Sequence, residues 1–167
     1  MYALNLCRRS LRKNRPGSPR EFVQLVLKCV TKSPVEECEG HLVAVYKWED
    51  FDWQPTEMNE SLHLAWSYSE DSKTITLHPG GEKRLNICFL QGTQIVPCTS
   101  PLPLRAASAL KVEPGQTEVF RFDVMLTSTN CRSVSVSVGI QNGGVKDGPE
   151  MLSPIAKILN LSDSTPW

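Results

Sequence analysis

The residues best suited to chemistry crowd into one stretch, Trp48-Glu-Asp-Phe-Asp-Trp53, with Glu57 and Glu60 close behind. Glu49, Asp50 and Asp52 supply carboxylate oxygens, and a pliable loop must gather six to eight oxygens to hold Ca2+. Trp48, Phe51 and Trp53 offer flat apolar rings against which a sugar or a hydrophobic partner can stack. Two carboxylates are also the minimum for glycoside hydrolysis, but that reaction depends on a separation that spacing along a chain does not set. The simpler alternative is a hairpin loop whose aromatics cover one end of a core while its acids stay solvated. The candidate ligand-binding residues are Trp48, Asp50, Phe51, Asp52 and Trp53.

Other chemical candidates are thinner. Cys38-x-x-His41 offers two metal ligands, yet a structural zinc site takes about four and no second pair at matching spacing exists. No metal site and no cofactor are therefore read from the sequence. His41 is expected to open a strand, His63 to face outward beside Trp66, and His78 to flank a turn. Pro79-Gly80-Gly81 lacks the Lys-Ser/Thr and the helix of a phosphate-binding loop. No G-x-S-x-G elbow occurs, and no catalytic set is assigned. The sequons Asn59-Glu-Ser61 and Asn160-Leu-Ser162 are triplets that chance supplies often. None of the six cysteines forms a C-x-x-C pair. Cys29 and Cys38 flank Ser33-Pro34 symmetrically, as Cys88 and Cys98 flank Thr93, so each pair could oppose across a hairpin. Equally, each cysteine can serve as a small core hydrophobe.

The elements that must position these residues read as strands. At 167 residues, with 40% apolar and 22% charged residues, the chain suits one well-buried globular domain. No apolar run approaches the roughly 18 residues of a membrane helix, and no signal-peptide h-region is seen. Residues 1–20 hold six basic residues and no acid, leaving 12 basic against 18 acidic residues in the remainder. This arm is read as a disordered leader ending at Pro16-Gly-Ser-Pro19, with contact to an anionic membrane surface as its functional alternative. No nucleic-acid partner is expected.

From Glu21 the signal is alternation. Val23, Leu25, Leu27 and Cys29 mark one strand face; Leu42–Trp48 is apolar on both faces and so suits a central strand. Leu62, Leu64, Trp66 and Tyr68 alternate next. Phe120, Phe122, Val124 and Leu126 point inward with Arg121 and Asp123 outward, and Val134, Val136, Val138 and Ile140 repeat the pattern. Pro97, Pro101 and Pro103 exclude a central strand nearby. A last short segment lies between Met151 and Leu161, and Leu102–Leu110 is the one rival for a helix.

One phrase occurs twice at an offset of 35 residues: Ile75-x-Leu77-x-Pro79-Gly80 leading to Leu85-x-Ile87-x-Phe89, and Leu110-x-Val112-x-Pro114-Gly115 leading to Phe120-x-Phe122-x-Val124. Pro presets φ and Gly accepts positive φ, so each copy reads as strand, type II corner and strand, able to leave one sheet and enter another. This pattern resembles the immunoglobulin-like β-sandwich accessory domains of prokaryotic envelope and multidomain proteins. The resemblance covers roughly Glu21 to Ile140 and implies an all-β, immunoglobulin-like antiparallel β-sandwich of about 7–9 strands; the sandwich domain is read over residues 21–161, with residues 162–167 as a tail. It implies no particular activity. The expected function is a non-catalytic interaction or accessory domain whose partner is another protein or domain. The alternative is a module binding carbohydrate or another small ligand at loop 48–60, with or without calcium.

Overall fold

The protein is described by a computed structural model over residues 2–11, 20–58, 60–67, 72–91, 94–99, 110–111, 117–141 and 155–159. Among these residues the chain is all-β, with no helix and two antiparallel sheets. The first sheet runs in the order β1 (Tyr2–Leu11), β2 (Arg20–Cys29), β7 (Glu82–Gln91), β8 (Gln94–Pro97), β9 (Leu110–Lys111). The second runs β12 (Ile155–Leu159), β11 (Val134–Gln141), β10 (Val119–Thr127), β3 (Val35–Glu49), β4 (Asp52–Pro55). Two short strands, β5 (Leu62–His63) and β6 (Ile75–Leu77), share the edge of β3 with β4. No helix among the described residues is long and apolar enough to cross a membrane.

Alternation builds one core between the sheets. Val23, Leu25 and Leu27 of β2 are buried with Leu85 and Ile87 of β7, and Phe122, Val124 and Val138 of the second sheet join the same cluster. Intervening residues such as Arg121 and Asp123 are only half-buried, as period two requires. Leu42–Trp48 lies in β3, which is paired on both edges, in agreement with its two apolar faces. Pro97 ends β8 beyond the residues that pair with β9, so its missing N–H interrupts no ladder there.

The first copy of the repeated phrase is the crossover that its Pro-Gly corner suggests. β6 belongs to the second sheet and β7 to the first. Between them Gly80 has φ 73° and the Gly81 N–H donates to the His78 carbonyl at 2.8 Å, a type II turn with Pro79 and Gly80 at its centre. The second copy crosses in the opposite sense, from β9 in the first sheet to β10 in the second; its corner at Pro114-Gly115 lies outside the described residues. A third link is Leu62–Ser67. β5 pairs with β3, then Ala65 N–H donates to Cys98 O and Ser67 N–H to Arg84 O, each at 2.8 Å, in the first sheet. Trp66 fills the junction, fully buried, with its Nε1–H donating to the Lys73 carbonyl at 3.1 Å.

Several expectations are revised. Twelve strands are present among the described residues rather than seven to nine, because short pairings along β3 and at the sheet edges add to the long ones. Ten residues of the basic arm form β1, antiparallel to β2, with Leu4 opposite Leu27 and Leu6 opposite Leu25. Cys29 and Cys38 do not face each other across a hairpin: β2 and β3 belong to different sheets. In the β7–β8 hairpin Gln91 opposes Gln94, so Cys88 opposes Pro97, one residue short of Cys98. Burial and the nearby Cys98 push the Cys88 thiol well above its ordinary range. The Leu102–Leu110 rival helix and the segment before Ile155 lie outside the described residues.

Gly40 of β3 packs directly against the other sheet: a Cβ there would run into the buried Leu85 of β7. Gly40→Ala is expected to lower unfolding stability by about 2 kcal/mol through overpacking. In a Leu85→Ala background the same change should cost much less, which a double-mutant cycle in urea measures directly.

Candidate functional site

The acidic-aromatic stretch is a tight β-hairpin rather than a long loop. β3 continues to Glu49 and β4 begins at Asp52, with Trp48 opposite Trp53 and Glu49 opposite Asp52. Only Asp50 and Phe51 remain for the turn, and both have positive φ, 50° and 65°. That is the type I′ pattern, whose twist matches paired strands and which normally takes Asn-Gly or Asp-Gly. Aspartate tolerates this backbone. Phenylalanine does not favour it, yet here Phe51 occupies the glycine position and stands 94% exposed at the tip.

Behind the tip, the outer face of the second sheet carries a stack built by cross-strand register. Trp48 and Trp53 meet edge-to-face, with centroids 5.1 Å apart and planes at 70°. The Arg121 guanidinium lies 4.0 Å above the Tyr46 ring and 5.2 Å from that of Trp53. Its Nε is 3.2 Å from Asp123 Oδ1 without an aligned hydrogen bond. The Ser137 hydroxyl donates to that same oxygen at 2.7 Å. The tryptophans therefore brace each other, with Trp53 also against Arg121, and present no common flat platform.

The acids of the stretch also separate. Lys47 Nζ lies 2.7 Å from Glu49 Oε1 and 2.7 Å from Oε1 of the buried Glu118. These contacts, Glu118 first, raise the Lys47 amine above its ordinary value. Asp52 Oδ1 accepts the Trp53 backbone N–H at 2.7 Å. Asp50 and Asp52 remain exposed on either side of Phe51. Of the five sequence-predicted residues, Trp48 and Trp53 meet, whereas Asp50, Phe51 and Asp52 project as a tip.

Convergent ligand atoms occur elsewhere. Among the described residues, one group of three or more His, Cys, Asp or Glu side chains could hold a metal ion: Glu39, His41 and His63. Cys38 is not part of it, because it is buried on the opposite face of β3 with its thiol toward the Val35 carbonyl. His63 sits directly across from His41 in register. Period two already places Glu39 and His41 on one face of a strand. The pairing that brings His63 alongside, and the one that sets Arg121 against Tyr46, leave no mark in linear spacing.

Two stability measurements check this geometry. Lys47→Met leaves the Glu118 carboxylate buried and unpaired, and should cost about 3 kcal/mol in a denaturant titration. Because the folded amine titrates above its unfolded value, its contribution is complete below the unfolded pKa and is lost as pH rises through the folded one. The alkaline side of the wild-type stability profile should therefore fall more steeply than that of Lys47→Met. Phe51→Gly should instead stabilise the hairpin by about 1 kcal/mol, by relieving a side chain from left-handed backbone. No family model matches the chain, and no curated protein and no solved structure shows significant similarity to it.

Proposed function

We propose that this chain is a non-catalytic interaction module on an immunoglobulin-like β-sandwich, docking another protein through the tip of the β3–β4 hairpin. The observation that carries this reading is Phe51, 94% exposed and at φ 65°. A glycine would relax the turn, so an aromatic there costs stability that nothing within the described fold repays. Strained, exposed apolar groups of this kind suit insertion into a partner's pocket. The exposed Asp50 and Asp52 beside it favour a pocket whose rim is basic. A protruding tip is also the reverse of the concave site that small-molecule chemistry uses. The immunoglobulin-like assignment is supported by alternating strands whose Pro-Gly phrases lead from one sheet to the other in opposite senses. A carbohydrate-binding role is less well served, since Trp48 and Trp53 meet edge-to-face.

The test is affinity capture from the native host's extract with the wild-type chain and with Phe51→Gly, both checked for folding by circular dichroism. A protein retained by the wild type and lost with the variant is the expected result. Identical retention by both chains would overturn the docking role of the tip. Binding on a glycan array that Phe51→Gly or Trp53→Ala removes, with no protein partner captured, would favour the carbohydrate alternative.

A further inference from the structure

We infer that Glu39, His41 and His63 form a binding site for a divalent transition metal of the zinc class, with three protein ligands and one coordination position open to solvent. The inference is independent of the hairpin reading, because none of the three residues belongs to the tip. Glu39 and His41 project from the same face of β3, and His63 is the register partner of His41 on β5. All three are therefore held by one backbone ladder. Glu39 Oε2 lies 3.0 Å from His41 Nε2 and 3.9 Å from His63 Nδ1. The three ligand atoms all fall within 4.8 Å of one another.

These spacings suit tetrahedral coordination. Metal–ligand bonds of about 2.0–2.1 Å at tetrahedral angles place neighbouring donor atoms roughly 3.3 Å apart. The two distances to Glu39 bracket that value. The rings of His41 and His63 are partly exposed and tilted at 45°, with centroids 4.4 Å apart, so small side-chain rotations can close the third edge. His63 Nδ1 is shielded from water and has no hydrogen-bond partner, although buried polar atoms are normally satisfied. A metal ion would meet that nitrogen, and its charge would offset the carboxylate. Two imidazoles and one carboxylate suit Zn2+ and its transition-metal neighbours better than Mg2+ or Ca2+, which take oxygen. The side chains stand on the outer face of the sheet, so the fourth position is taken by water or by a ligand atom from outside the chain.

The test titrates zinc chloride into the reduced 167-residue chain against a chromogenic chelator. One equivalent should bind with micromolar or tighter affinity. His41→Gln and His63→Gln should each weaken binding at least about tenfold, the loss seen even when a group one layer beyond the ligands is removed. Cobalt(II) should give tetrahedral visible bands without a thiolate charge-transfer band, which separates this site from the cysteines. In the wild-type chain, nitrogen-detected NMR should show both imidazoles shifting with the first equivalent of zinc, a readout that needs no variant. No saturable zinc binding, undiminished affinity in the histidine variants, or a thiolate band from cobalt would each overturn the assignment.

Discussion

The architecture depends on one constraint, that β3, a strand of 15 residues, be hydrogen-bonded along both edges through its central part. No single neighbour does this. β10 covers one edge from Glu39 to Lys47, while β6, β5 and β4 divide the other among them. Unpaired backbone along so buried a strand would be costly, so the short strands are as necessary as the long ones. Two irregularities let β3 serve them all. Glu37, at φ 48°, lies within a register shift against β6, and the neighbouring Glu36 N–H is met by Asn130 Oδ1 at 3.1 Å. The second shift leaves Val43 as an extra residue opposite β10, where Val124 pairs with Leu42 but Asp123 with Ala44.

That second bulge decides what the outer face displays. Leu42 and Val45, three apart, both point into the core. With strict alternation, Leu42 inward would carry Tyr46 and Trp48 inward as well. The extra residue instead returns them to the side that holds Glu39 and His41. The histidine–glutamate cluster and the Tyr46–Arg121–Trp53 stack therefore share one face of one sheet, separated by the bulge. At the far end Lys47 falls on the core side and meets Glu118, a charged closure where the apolar core runs out.

Much of the framework is legible in the sequence, and the reasons are local. Alternation identifies β2, β10 and β11 because each has one buried and one wetter face, and Pro79-Gly80 identifies a corner because few dipeptides suit that backbone. Trp48–Trp53 reads as a chemically dense segment but not as a hairpin, since a type I′ turn containing phenylalanine lacks the glycine that would announce it. β1 is obscured by its arginines, although Tyr2, Leu4 and Leu6 keep the strand period. The site at Glu39, His41 and His63 stays invisible because β5 contributes two residues to its ladder, too few to carry a periodicity, and its register is fixed by β3 rather than by its own composition.

The crossovers have a topological consequence. The chain places β1 and β2 in the first sheet, β3 to β6 in the second with only isolated bridges back from Leu64 and Trp66, β7 to β9 in the first again, and β10 to β12 in the second again. Each sheet is thus assembled from two separated lengths of chain, and each length is completed only by the one that lies beyond the other sheet. β2 finds its inner partner in β7 and β3 finds its own in β10, so both central pairings are long-range in sequence. Such contacts must await closure of large loops and slow the search for the native state. Cutting the chain at the Pro79-Gly80 corner would leave neither piece holding a whole sheet. The two sheets are interleaved in order of synthesis, and neither can be finished before the other has begun.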